Sequence, residues 1–458
     1  MLPSSLPVPN LQRMALVQIA IRISNDASVV ALTDKYGPIS HILPDAASRL
    51  FLNETRTVRN MNDEKIIMSK PQVHHTIQVT HEFQRSPNYW WEQLVSRSIS
   101  TLQLPKVMHR RILGATRAVS LEVDRWMQDH SVLWTVDPYL DLQSDLIWMP
   151  IGKIDRAKTA KSFIRNENID IRIRYILACL YCYEDDVFSL WGRMALIEQA
   201  FVCELSQKNK VLKCWTLSAK GESVINWDDL NSVLGLYPLG LPIINEKLDK
   251  EMKKFRLVSF VVKGLIEFEY IYQCLSPEEF DSCSESLKVF PQYVLRYLLE
   301  WPFQGEFLKV ASRGWTFLSP EGFHDLLKVI VFQRIMIGRD DFDYVHLLEE
   351  FWKQSPPRHK KSLRKSPIYD IVLLIVDTYI RGPSLSQLLL KHYRKNYLIY
   401  QYLRMRYIVF KEEEGIKEFQ NLGFSMDSQV DVIKIWPDEN LRSCSVYRKL
   451  NYCPNENR

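Results

Sequence analysis

The segment Ile169–Trp191, IDIRIRYILACLYCYEDDVFSLW, decides how the chain is read. Within it Ile171, Tyr175, Ala178, Cys179 and Cys182 share one face at the three- and four-residue spacing of an amphipathic helix. Glu184-Asp185-Asp186 interrupts that stripe, and a second begins at Val187 and continues through Leu190 and Trp191. Clustered carboxylates could hold a divalent cation or supply acid–base groups. In the first turn of a helix, however, they face its positive end, which stabilises each by roughly 0.3–1 kcal/mol. The triplet is therefore read as the start of a second helix, and the segment as two helices joined by a tight turn.

The same period recurs on both sides. Leu16, Ile19, Ala20 and Ile23 form a stripe that ends at Ser24-Asn25-Asp26. Val294, Tyr297, Leu298 and Trp301 form another, closed by Pro302, and Phe323, Leu326, Leu327 and Ile330 a further one. Tyr344, Leu347, Leu348 and Phe351 repeat the pattern. The connectors are short and carry Asp, Asn, Ser or Pro, which suits antiparallel helix neighbours. Strand-like alternation is confined to Ile66–Val79, at Thr76-Ile77-Gln78-Val79, and carries little weight beside the helical pattern.

Composition agrees. Only 15 of 458 residues are Gly, too few for a fold rich in tight hairpins. Hydrophobic residues are 46% and charged residues 25%, which excludes disordered and collagen-like chains. The expected fold is all-α, a multi-helix, solenoid-like array of antiparallel helix pairs. An internal echo points the same way: Leu275-Ser-Pro-Glu-Glu-Phe280 returns as Leu318-Ser-Pro-Glu-Gly-Phe323, 43 residues on, and Ser366-Pro367 opens a further apolar segment. Each is a helix start, with Ser as N-cap and Pro at the first helical position. The expected organisation is an N-terminal helical region 1–136, a joint 137–156, a helical array 157–353, a basic linker 354–367 and a C-terminal helical region 368–458. Val233–Pro242, with Gly235 and Gly240, reads as a surface loop.

The eight cysteines are few for the length and mostly lie in apolar helical patterns, which reads as reduced, intracellular protein, cytoplasmic or nuclear. The first ten residues lack a basic region, and the apolar run that follows, Met14 to Ala20, is short and interrupted by Gln18, so no signal peptide is expected. Ile368–Ile380, a strongly apolar run, carries Asp370 and Asp377 and is too short to span a membrane, so no membrane partner is expected.

Ile169–Trp191 also resembles a phrase of large, uncharacterised, lineage-expanded helix-rich families in arachnid gene sets. Leu11–Asp26, LQRMALVQIAIRISND, looks like the N-terminal phrase of the same proteins. Val294–Leu327, with its Trp-Pro, Trp315 and Leu-Ser-Pro-Glu-Gly-Phe elements, is similar to them too. Together these cover about a sixth of the chain, in matching order. The resemblance implies a helical fold and no assigned activity, so it transfers no catalytic residue.

Candidate sites are few. Cys179-Leu-Tyr-Cys182 with Cys203 and Cys214 could supply four thiolates to zinc. The second pair is too widely spaced, and the first lies on an apolar face where Cys behaves as a small hydrophobe. His74, His75 and His81 lack a partner at a recognised ligand spacing. The GxSxG, P-loop and HExxH motifs are absent, so no cofactor, metal or catalytic residue is assigned. Net charge is a mild +5, so nucleic-acid binding has to rest on local clusters. One is Arg358, Lys360, Lys361, Arg364 and Lys365; a second includes Lys391, Arg394 and Lys395 among tyrosines that run to Tyr407. Such runs bind phosphate or carry a nuclear-import signal; equally, they solvate a linker or a helix face while Tyr393, Tyr397, Tyr400 and Leu403 pack inward. The expected function is a non-catalytic, protein-binding helical scaffold. The alternatives are a nucleic-acid-associated or nuclear protein acting through 358–407, and a metal or thiol enzyme at Cys179 and Cys182.

Overall fold

The computed structural model describes residues 11–53, 73–79, 87–138, 140–225, 227, 230, 238–247, 291–377, 380–393, 397–402, 405–410 and 430–435. The body of the fold is all-α, as the periodicity requires. In chain order its first helices are α1 (Leu11–Ser24), α2 (Ala27–Tyr36), α3 (Asp45–Asn53), α4 (Pro87–Ser100) and the long α5 (Lys106–Asp129). Then come α6 (Arg156–Arg165), α7 (Ile171–Leu180), α8 (Glu184–Arg193), α9 (Leu196–Ser206), α10 (Lys210–Ala219) and α11 (Leu241–Lys247). The last group is α12 (Pro291–Leu298), α13 (Phe307–Gly314), α14 (Pro320–Ile330), α15 (Tyr344–Gln354), α16 (Pro357–Leu363), α17 (Pro367–Asp377) and α18 (Pro383–Tyr393).

Beside the helices lies a small sheet of β1 (Val73–Val79), β2 (Tyr397–Tyr402), β3 (Met405–Phe410) and β4 (Val430–Ile435), in the order β2-β3-β1-β4. Strand β1 runs parallel to β3 and β4, placing His74 opposite Arg406 and Val430, while β2 and β3 are antiparallel. This corrects the helical region expected over 368–458: α18 stops at Tyr393, Tyr397 and Tyr400 lie on a strand, and β3 and β4 follow. YLIYQY and MRYIVF are rich in aromatic and β-branched residues, which lose rotamer freedom in a helix and pack well on a pleated surface.

The chain divides into two compact units, one holding Arg125–Tyr293 and the other Pro9–Asp124 with Val294–Arg458. The expected joint at 137–156 lies inside the first unit. Its Leu140, Leu142, Leu146, Ile151 and Ile154 are buried, and Asp155 caps α6 by accepting from the Lys158 N–H at 3.0 Å. Apolar side chains at irregular spacing gave no period to read, yet they pack as core.

In the first unit α7 is buried along its length from Ile173 to Leu180. It ends in Tyr181 and in Cys182, whose φ of +58° turns the chain into α8. Glu184, Asp185 and Asp186 occupy the first turn of α8, as the dipole favours, and Asp186 pairs with Lys161 at 2.6 Å. Gly240 is needed here: a Cβ at that position would lie 2.4 Å from Cys182 Sγ. The described part of Val233–Pro242 is therefore a packed turn rather than a surface loop, with Leu239 and Gly240 buried. His130 is sandwiched between Trp126 and Tyr181, with ring centroids 4.2 and 5.6 Å away. Its Nδ1 donates to the Trp126 carbonyl at 2.7 Å, and its Nε2 accepts from the Tyr181 hydroxyl at 2.9 Å.

In the second unit Ile23, Val29, Trp91, Val95, Ile99 and Ile112 form a core cluster that joins α1, α2, α4 and α5. No single helix among the described residues is long and apolar enough to cross a membrane. The α1–α2 pair has the composition only when its two helices, bent by 66°, are taken together. Core packing accounts for that apolarity, since Val17, Ala20, Ile23 and Val29 are buried.

Candidate polyanion-binding surface

The basic run begins where α15 must stop. Ser355 donates its hydroxyl to the Trp352 carbonyl at 2.7 Å, and the Pro356-Pro357 pair that follows cannot continue that helix. The same prolines suit the start of a new helix, because Pro357 at its first position needs no N–H partner. Residues 357–363 thus form α16 rather than the linker expected from their polarity.

Two residues four apart hold α16 in place. His359 is fully buried, donates from Nε2 to the Leu318 carbonyl at 2.9 Å, and packs on Phe323 and Trp315 at 5.1 and 5.8 Å. Leu363 is buried one turn later. Phe351 closes the aromatic box, stacking on Trp315 at 5.2 Å and meeting Phe307 and Phe323 at 5.0 and 5.2 Å.

With His359 and Leu363 turned in, the cations are turned out. Arg358, Lys361, Arg364 and Lys365 are exposed, while Lys360 is half-buried with its ammonium 5.3 Å from the centre of the Trp352 ring. Arg358 donates one guanidinium N–H to the Trp315 carbonyl. Among the described residues none of these five cations has a carboxylate within ion-pair distance, whereas nearby Lys353 pairs with Glu350 and Lys328 with Asp325. Lys360 and Lys361 also lie in the last turn, where the helix dipole favours positive charge. The result is a concentrated positive surface on a rigid support, fitted to hold phosphate or carboxylate oxygens. Arg394 and Lys395 lie outside the described residues. In the same unit Ile380, Arg381, Ser384, Gln387, Leu388 and Lys391 line an open cleft of about 430 Å³.

The other candidates take different roles. Cys179 and Cys182 are buried, and burial pushes the Cys182 thiol up to about 12 and that of Cys179 upward as well, which keeps both protonated and poorly nucleophilic. Among the described residues no group of three or more His, Cys, Asp or Glu side chains is placed to hold a metal ion. His74 and His75 sit on β1, and His81 lies outside the described residues.

One constellation was not foreseen. Ser40 Oγ lies 3.1 Å from His41 Nδ1, and His41 Nε2 lies 2.6 Å from Asp124 Oδ2. The order imitates a hydrolase triad, but Ser40 and His41 are fully buried and the hydroxyl donates to the Gly37 carbonyl at 2.8 Å. A nucleophile has to meet its substrate; these groups instead tie the Gly37–Ser40 turn to α5. Adjacent Ser and His residues carry no sequence signal that a distant Asp completes them.

A buried ionic network was equally invisible. Arg334, with no exposed surface, donates to Glu300 at 2.6 Å. Arg339 grips Asp341 through two N–H groups, each at 3.1 Å, and approaches the other Glu300 oxygen at 3.6 Å. Gln304 and Tyr344 complete the shell of Asp341 at 2.8 and 3.1 Å. The backbone of Asp340-Asp341 rests on Gly114 of α5, where a Cβ would come within 2.7 Å of the Asp341 nitrogen. Burial raises the neighbouring Asp340 carboxyl to about 6, with Asp341 and Glu92 adding to the rise and Arg117 opposing it.

Comparison of the chain with family models, with curated proteins and with solved structures returns no match.

Proposed function

We propose that this chain is a helical binding protein whose α16, continued by Arg364 and Lys365, contacts the phosphate backbone of a nucleic acid. One observation carries the reading: four exposed cations, two on a helix anchored by His359 and Leu363 and two in the turn that follows it, have no carboxylate partner among the described residues. A solvated linker would spread such charges over many conformations, whereas the anchored helix and the turn after it hold them in one short segment. Arg and Lys that neutralise phosphates release condensed counterions, and affinity then falls steeply with salt.

The test is fluorescence anisotropy of a labelled oligonucleotide at several salt concentrations. Replacing Arg358, Lys361, Arg364 and Lys365 together with Ala should weaken binding at least about tenfold and flatten the log–log salt slope by about three. Unchanged affinity and slope would remove α16 from the function.

A scaffold role in protein contacts is favoured by a separate feature of the first unit. Leu196 and Ile197, in the first turn of α9, are 84% and 80% exposed. Adjacent apolar side chains this open suit a partner's apolar surface. A photo-crosslinker at Ile197 should capture a protein partner that Leu196→Ser releases; the absence of any such product would sink this second role.

A further inference from the structure

The stretch that forms the end of α4 and the start of α5 carries positive charge that no described carboxylate neutralises. No Asp or Glu occurs between Glu92 and Glu122, whereas Arg97, Lys106, Arg110, Arg111 and Arg117 all fall there. Arg117 is buried and pairs with Glu92 at 2.7 Å. The other four are exposed and, among the described residues, have no carboxylate within ion-pair distance. Lys106 opens α5, Arg110 and Arg111 follow one turn on, and the first turn holds no acidic residue. Positive charge at this end opposes the helix dipole, so helix stability does not account for the placement.

Apolar side chains stand among these cations. Val107 is 71% exposed and shares a helix face with Arg110 and Arg111, three and four residues on. Its neighbour Met108 packs inward on the core cluster that contains Ile112. Gln12 donates to the Met108 sulfur at 4.0 Å, which brings the start of α1, where Leu11 is 83% exposed, to the first turn of α5. In the turn before α5, Gln103 at φ +51° reverses the chain. Leu104 there packs on the core while Leu102 stays exposed. Open aliphatic side chains and unpaired cations thus share one end of this helix group.

We infer that this end of α1, α4 and α5 docks on an anionic membrane surface, with Lys106, Arg110 and Arg111 against lipid headgroups. Val107 and Leu11 then enter the boundary between headgroups and acyl chains. Cations alone would suit a nucleic acid as well. Exposed aliphatic side chains, however, gain nothing from phosphate and gain by leaving water. An anionic bilayer satisfies both at once. The contact is with the surface of the bilayer, since no described helix is long and apolar enough to span it. It uses no residue of α16 and is independent of the nucleic-acid reading.

The experiment is cosedimentation of the full chain with large unilamellar vesicles, of phosphatidylcholine alone or of an equimolar mixture with phosphatidylserine. The protein should pellet with the mixed vesicles and stay in solution with phosphatidylcholine alone. Replacing Lys106, Arg110 and Arg111 together with Gln should weaken binding at least about tenfold, since each cation near an anionic surface contributes about fivefold. Val107→Ser should weaken it by about three- to tenfold through lost apolar burial. All four side chains are exposed, so both variants should keep the parent's melting temperature, which separates lost docking from lost fold. The fourfold α16 variant should pellet as the parent does. Absence of binding to the mixed vesicles, equal binding to both vesicle types, or unchanged binding by Val107→Ser would each overturn the proposal. So would a triple variant that keeps the vesicles while the α16 variant loses them, because the lipid contact would then belong to α16.

Discussion

Two regions of the second unit use the same residue types to opposite ends. In the network around Glu300, two arginines and two carboxylates are buried, and nearly every donor faces an acceptor. On α16 the cations stand in water without carboxylate partners among the described residues. Burial makes the difference. A charge removed from water has to be paired and hydrogen-bonded or it costs several kcal/mol, whereas an exposed one is solvated at little cost. Pairing inside therefore marks architecture, while the unpaired density outside is the feature on which the proposed nucleic-acid contact rests.

That contrast breaks most easily at its buried end. Glu300→Ala leaves Arg334 uncompensated and should cost about 3–5 kcal/mol of stability in urea unfolding. A loss below about 1 kcal/mol would show that water or a neighbour replaces the carboxylate.

The first unit supplies a buried titratable group without a counter-charge, and it solves the problem by staying neutral. Burial, reinforced by the charge of Arg156 and only partly offset by the bond to the Trp126 carbonyl, holds His130 near 3. The unfolded chain takes up this proton near 6.5, before the folded one does, so the contribution is complete above 6.5 and is lost as pH falls toward 3. The expected loss is about 1.4 kcal/mol per pH unit within that window. In His130→Phe this part of the acid sensitivity should disappear, and an unaltered pH slope would place the sensitivity elsewhere.

Asp340 sharpens the comparison with the opposite sign. Its carboxyl, raised to about 6, prefers the protonated form in the folded state, so stability is lost as pH rises from about 4 through 6. Asp340→Asn, which cannot ionise, should gain on the parent through that window. The gain should be at most about 3 kcal/mol at neutral pH and vanish near pH 4. A variant less stable than the parent at pH 7 would mean that attraction to Arg117 outweighs the cost of burial.

A smaller effect, about 1–3 kcal/mol, is expected for Gly114→Ala, because the new methyl meets backbone that cannot swing aside. The smallest belongs to α16. Ala at Arg358, Lys361, Arg364 and Lys365 should each change thermal stability by no more than about 0.5 kcal/mol. A large loss at any of them would identify a structural charge and remove it from the proposed surface.

Legibility followed the same division. Helix existence was plain at the stripes at Ile171, Phe323 and Tyr344, which all became helices, whereas the same spacing at Tyr393, Tyr397 and Tyr400 misled, because α18 ends and β2 begins there. The Ser-Pro phrase at Ser319 acted as expected, its hydroxyl accepting from the Gly322 N–H at 3.0 Å. Its first copy, Leu275–Phe280, lies outside the described residues. The polarity of 354–367 hid a helix whose only clues were His359 and Leu363, four apart.

The sequence by itself determined the helical class and where many of the helices begin and end, because period, caps and proline act through near neighbours. It also concentrated the positive charge at 358–365. Only the tertiary structure decided which charges are spent inside and which remain outside. Glu300 meets Arg334, and His41 meets Asp124, across separations that no local rule spans. It also decided that α16 is held by its two inward residues, which turns a run of cations into a surface.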